Sequence, residues 1–246
     1  MLKSSVLITI ALLSAGSALA EEGDIAYLQP ETDIRNTESL QRGARNFMNY
    51  CSGCHSLKYL RFNRLAEDLK IPESELAANL MFTTDKSFET VNSAMPKDSE
   101  AWFGKQPPDL SLVARAKGTA YIYSLFHGFY ADNTRPWGVN NLYLPSVAMP
   151  DVLASLHGTQ KPVFKNVADE QGSARMVLVG VAPMTPGSLK PEEYDQFVRD
   201  LVNFLDYAGE PVKEKRQSMG VFVTLFLLVF FVFAYLLKKE YWKDVH

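Results

Sequence analysis

Cys51-Ser52-Gly53-Cys54-His55 reads C-x-x-C-H, the spacing at which c-type haem is attached to a chain. On a helical turn, positions 51, 54 and 55 stand at i, i+3 and i+4 and project from one face. Two thiols there can form thioethers with the haem vinyl groups, while His55 reaches under the ring to the iron. Upstream, Asn36 or Thr37 can cap a helix, and Leu40, Ala44, Phe47, Met48 and Cys51 recur at helical spacing, which predicts an amphipathic helix running into the motif. Three other chemistries use such a pair. Structural zinc needs two more ligands, and only His127, His157 and His246 remain. A redox C-x-x-C should follow a strand at the start of a helix, whereas here a helix precedes it. A local disulfide leaves His55 without a role. The expectation is one haem c, covalently held through Cys51 and Cys54, with His55 on the iron.

The sixth ligand decides what such a haem does. An open position permits ligand binding or catalysis, whereas a methionine opposite histidine closes the iron and raises its potential for electron transfer. Met149, in Ser146-Val147-Ala148-Met149-Pro150, and Met184, in Ala182-Pro183-Met184-Thr185-Pro186, both read as loop-borne, with Met95 a weaker third. A single Met is more often core filler than ligand, and spacing alone does not separate Met149 from Met184.

Both ends of the 246-residue chain are apolar. Lys3, the run Val6 to Leu13 and Ala18-Leu19-Ala20 read as a secretory signal cleaved before Glu21. Ser218 to Leu237 holds twenty residues without a charge, about 30 Å of helix, which matches the hydrocarbon core of a bilayer. Lys213, Lys215 and Arg216 precede it and Lys238, Lys239 and Lys243 follow, so flanking charge does not orient it. The signal does, and it predicts an exported body and a cytoplasmic tail. The boundaries expected are a signal at 1–20, a periplasmic haem domain at 21–212, a basic flank and membrane helix at 213–237 and a tail at 238–246. Residues 21–212 carry 18 basic and 25 acidic side chains, a net charge of −7. An exported acidic domain attracts basic soluble partners, and a chain with 25 Lys and Arg against 28 acids and no basic run is not a nucleic-acid binder.

Elsewhere the pattern is mostly helical. Pro191 opens a helix with stripe Tyr194, Phe197, Val198, Leu201, Leu205 and Ala208, closed by Gly209. Shorter helices are expected over Asp109 to Lys117 and Tyr121 to Phe129. Between Asp132 and Pro191 the chain reads as irregular, six prolines included, with a small hairpin joining Arg175–Val179 to Val163–Phe164. The fold class is a mostly α c-type cytochrome domain with long irregular loops and a small β-hairpin, plus one C-terminal transmembrane helix.

Around the haem motif stand Arg42-Gly43-Ala44, Asn49-Tyr50, and Tyr59-Leu60-Arg61-Phe62-Asn63-Arg64-Leu65. Further on come Pro107-Pro108-Asp109-Leu110-Ser111, Tyr121-Ile122-Tyr123-Ser124-Leu125, Asn141-Leu142-Tyr143 and Gly209-Glu210-Pro211. Together with the terminal apolar helix, these resemble the bacterial members of the cytochrome c1 family, the haem subunit of the cytochrome bc1 complex, over essentially the whole mature chain. The resemblance implies Met149 as the axial ligand. It also implies that Pro107 and Pro108 line the haem edge and that a basic side chain, Arg115 or Lys117, approaches a propionate. Tyr121 is implied near the haem, though as an aromatic in a helical stripe it also reads as core. Partners implied are cytochrome b, a Rieske iron–sulfur protein as donor and a soluble cytochrome c as acceptor, with no small-molecule substrate and no bond-making chemistry. Glu67, Asp68, Glu73 and Glu75 are candidate docking acids, against the plainer reading of a solvated helix face. Two other functions fit the haem and the anchor less fully. One is a stand-alone tethered electron shuttle; the other is an exported haem sensor or enzyme with an open iron site.

Overall fold

The computed structural model describes residues 25–168 and 174–244; the expected signal at 1–20 lies outside the described residues. Helix α1 (Thr37–Tyr50) starts where the Asn36 side chain accepts the Ser39 N–H at 3.0 Å, which satisfies one of the first turn's free donors. It buries Leu40, Ala44, Phe47 and Met48. The chain then passes through β1 (Leu57–Arg61), α2 (Phe62–Leu69), α3 (Glu73–Asn79), β2 (Thr90–Val91), α4 (Glu100–Phe103), α5 (Val113–Lys117) and α6 (Thr119–His127). Next come β3 (Phe129–Ala131), β4 (Val139–Asn141), α7 (Ala154–His157), β5 (Gly158–Ala168), β6 (Ala174–Pro186), α8 (Pro191–Gly209) and α9 (Lys213–Tyr241).

The core forms where α1 lies against α8. Phe47 and Phe204 meet at 5.8 Å between ring centres, and Val198, Leu201 and Leu205 are fully or almost fully enclosed. The two helices approach so closely that a Cβ on Gly43 would sit 2.1 Å from the Asp200 carbonyl oxygen. Only a residue without a side chain fits there. Beside this contact, Asp200 is 2% exposed and receives Arg42 through Nε at 2.6 Å and a terminal nitrogen at 3.0 Å, with Ser39 Oγ donating at 2.6 Å. Burying that carboxylate is tolerable because each oxygen is paired.

Three antiparallel two-stranded pairs, β1–β2, β3–β4 and β5–β6, flank the helices. The third corrects the expectation of an irregular stretch up to Pro191. The ribbon runs from Gly158 opposite Pro186 to Ala168 opposite Ala174, and its bulges fall between Thr159 and Gln160 and between Val163 and Phe164. Prolines are tolerated because a two-stranded ribbon has only edge strands. The expected Asp109–Lys117 helix begins only at Val113, since the Asp109 carboxylate accepts the Ser111 N–H at 2.9 Å in a local turn and the Lys58 N–H at 2.9 Å, while Leu110 N–H donates to Ser56 O, a side-chain alternative to the first helical turn. The helix expected to reach Phe129 ends at His127, and Phe129 opens β3.

Helix α9 spans 29 residues with a mean hydropathy of 2.7 in its best 18-residue window and no buried residue. It is long and apolar enough to cross a membrane, and it continues past the expected limit at 237 to Tyr241.

Candidate haem site

The C-x-x-C-H segment does not continue α1, as the helical spacing suggested; α1 ends at Tyr50 and Cys51–Cys54 form a separate turn. That turn keeps helical geometry. Cys54 N–H donates to the Cys51 carbonyl at 3.0 Å and His55 N–H to the same oxygen at 2.8 Å, so the one-turn spacing of the three side chains survives. Ser52 turns inward and donates to the Met48 carbonyl at 2.7 Å, which ties the turn to the helix before it. Both thiols are free, Cys51 buried and Cys54 half-buried. Burial pushes the Cys51 thiol up to about 12 and raises Cys54 as well. A redox C-x-x-C pair needs the opposite, a stabilised thiolate. Among the described residues, no three His, Cys, Asp or Glu side chains converge as a metal cluster.

His55 Nδ1 lies 2.7 Å from the Pro108 carbonyl oxygen. A carbonyl can only accept, so Nδ1 carries the proton and Nε2 keeps its lone pair for a metal. Burial lowers the imidazole pKa against the opposing pull of the Pro108 carbonyl and Asp109, which favours the neutral ring that a ligand must be. The Pro108 carbonyl is held in place by three bonds between its own segment and the chain just after His55. Leu110 N–H donates to Ser56 O at 2.9 Å, Lys58 N–H to Asp109 Oδ2 at 2.9 Å, and Tyr59 N–H to Ser111 Oγ at 3.2 Å. Asp109 and Ser111 therefore orient the histidine at one remove. Sequence reading placed them in a motif but assigned them no role, because both act on backbone more than fifty residues away. Two thiols and one oriented, neutral imidazole on one turn form a donor set that fits a c-type haem.

The remaining site residues are placed as follows. Met149 is half-buried and packs against the core, in the loop between β4 and α7. Met184, expected in a loop, instead lies in strand β6 with 54% of its surface exposed, because the ribbon extends through Pro183 and Pro186. Met95 is half-buried between β2 and α4. Pro107 is half-buried and Pro108 exposed. Lys117 stands over the Tyr121 ring at 5.9 Å, and that ring also meets Tyr27 edge-on at 5.7 Å. Arg115 turns elsewhere. Its Cβ lies 3.7 Å from where a Cβ on Gly209 would stand, and it lines a cavity of about 530 Å³ with Asp33, Asp206, Glu210 and Lys213 at the start of α9. Of the candidate docking acids, Asp68 is engaged by Arg64 at 2.5 Å and by the Tyr207 hydroxyl at 2.8 Å. Glu75 accepts from Asn79 at 2.8 Å, while Glu67 and Glu73 are exposed.

A C-x-x-C-H turn at the end of a core helix, with a long apolar C-terminal helix beyond the domain, defines a c-type cytochrome with a fitting membrane anchor. The sequence matches the Cytochrome C1 family over residues 31–245, and the chain belongs to that family. It is 46% identical over 246 residues to a cytochrome c1 of Allochromatium vinosum, covering 100% of both chains. It is 42% identical over 215 residues to a Nitrosomonas europaea protein called ammonia monooxygenase gamma subunit, covering 87% of this chain and 86% of that one. Against a cytochrome c1 of Rhodospirillum rubrum the identity is 27%, over 95% of this chain and 94% of the relative.

Proposed function

We propose that the protein is the haem-bearing electron carrier of a quinol–cytochrome c oxidoreductase, reduced by a Rieske iron–sulfur protein and oxidised by a soluble cytochrome c. The observation that carries this reading is the His55–Pro108 bond beside two cysteines on one turn, in a chain of the cytochrome c1 family. Cys51 and Cys54 would hold the haem, His55 Nε2 would ligate it and Met149 would close its sixth position. The haem supplies reversible one-electron redox chemistry. The protein's own work would be to fix the ligands and hold the imidazole neutral. Lys117, over the Tyr121 ring, would be the basic residue that meets a propionate, since Arg115 lines the cavity at the start of α9 instead. The haem domain would lie in the periplasm, with α9 anchoring it and packing on cytochrome b, and the tail after Leu237 in the cytoplasm. A net charge of −7 over residues 21–212 favours encounter with a basic acceptor.

The half-buried, core-packed position of Met149 against the exposed one of Met184 supports Met149 as ligand. Met149→Leu should abolish the iron–sulfur(Met) absorption band and let the reduced protein bind carbon monoxide, while Met184→Leu changes neither. The opposite pattern would overturn the ligand assignment. Carbon monoxide binding to the unaltered reduced protein would favour an open iron site. Purification in mild detergent should recover a b-type cytochrome and an iron–sulfur protein; recovery of neither would leave a stand-alone shuttle.

A further inference from the structure

The loop carrying Met149 ends in a buried pair that the electron-transfer reading does not use. Asp151, two residues past Met149, and His157, at the end of α7, lie 3.0 Å apart from Oδ2 to Nε2 and 3.2 Å from Oδ1. Their side chains are 8% and 6% exposed. A carboxylate only accepts, so His157 Nε2–H is the donor. Asp151 also accepts the Leu153 N–H at 3.2 Å through Oδ1, closing a turn that drops Leu153, fully enclosed, into the core. His157 in turn rests on the Tyr194 ring at 4.8 Å, and the Tyr194 hydroxyl donates to the Phe126 carbonyl at 2.8 Å. Pro150 stiffens the single residue between Met149 and Asp151. The chain from Met149 to His157 is thus pinned at one end to the first turn of α8.

We propose that His157 is a positioning residue for the sixth iron ligand: through Asp151 it holds the loop that presents the Met149 sulfur. This rests on Met149 being that ligand. A thioether is a weak donor, so its hold on iron depends on how little the loop can move away.

His157→Phe keeps the ring contact with Tyr194 but leaves the Asp151 carboxylate without its side-chain donor; His157→Gln restores an N–H. In the full-length haem-loaded protein, well below its melting temperature, His157→Phe should weaken the iron–sulfur(Met) band. It should also speed carbon monoxide binding to the reduced form about tenfold, equivalent to about 1.4 kcal/mol. His157→Gln should return both toward the starting values. Asp151→Ala, removing the acceptor, should reproduce the His157→Phe spectrum, and it carries the test if His157→Phe takes up no haem. Unchanged band and carbon monoxide kinetics in the variant that loads haem, while Met149→Leu loses the band, would overturn the positioning role alone. A band that survives Met149→Leu would overturn the ligand assignment beneath it.

Discussion

At the scale of single residues, the site separates what a motif can announce from what only the folded chain assembles. Cys51, Cys54 and His55 are legible because their chemistry is local, five consecutive positions with a fixed spacing. Asp200 is not, since its partner Arg42 lies 158 positions away and nothing in the sequence near either residue announces the pair. Asp109 and Ser111 are silent for the same reason, their partners lying more than fifty positions away; His157 is silent although Asp151 stands only six positions from it, because neither residue type at that spacing marks a pair. The Asp200 pair predicts its own energetics. Truncating Arg42 leaves a 2% exposed carboxylate with Ser39 and Gln196 as its remaining side-chain donors. A lone charge in a dry interior is costly, but the Arg42 side chain is 42% exposed and partly screened by water. Arg42→Ala should therefore cost about 2–3 kcal/mol, below the full penalty for breaking a buried pair. Arg42→Lys, unable to grip both oxygens, should recover only part of that. Denaturant unfolding of the haem-loaded protein measures both; a loss under about 0.5 kcal/mol for Arg42→Ala, the level of an ordinary surface change, would show that the remaining donors suffice.

At the scale of elements, periodicity located the two helices that matter. The Asn36 cap and the limits Pro191–Gly209 appear as the pattern implied, because long amphipathic stripes with caps are self-specifying. The full length of the ribbon β5–β6 is not legible in the sequence, since its prolines sit at positions an edge strand tolerates and its length depends on pairing across the chain. The same pairing took Met184 out of contention as a loop residue. What periodicity could not show is how closely α1 and α8 approach. Gly43→Ala would place a methyl 2.1 Å from the Asp200 carbonyl oxygen and 2.6 Å from Phe204 Cβ, and neither neighbour is the free end of a flexible side chain. The helices must part, at about 1–3 kcal/mol for such overpacking. For a domain of this size that lowers Tm by roughly 2–4 °C per kcal/mol. Because α1 ends at the C-x-x-C-H turn, haem yield should fall with Tm. A Gly43→Ala protein with both unchanged would mean that the contact is looser than the geometry states.

At the scale of the whole molecule, composition divides the chain into an acidic body and an apolar terminal helix, and the packing agrees with that division. No residue of α9 is buried, so its apolar surface adds nothing to the domain's core, and its length and hydropathy fit a membrane anchor. Its first turns are different. Lys213 pairs with Asp206 at 2.7 Å and Arg216 with Glu210, so two of the three flanking cations are tied to the C-terminal end of α8. A chain stopped after Gln217 keeps both pairs and should be released as a soluble protein with the band and Tm of the full-length form, within about 3 °C, since exposed-surface changes cost under about 0.5 kcal/mol. Stopping after Val212 removes both cations, leaves Asp206 and Glu210 beside the Arg115 cavity without their partners and should melt lower than the longer form. Equal melting of the two would reduce the basic flank to a tether. A soluble form ending at Gln217 that melts far below the full-length protein would show instead that α9 supports the domain's fold.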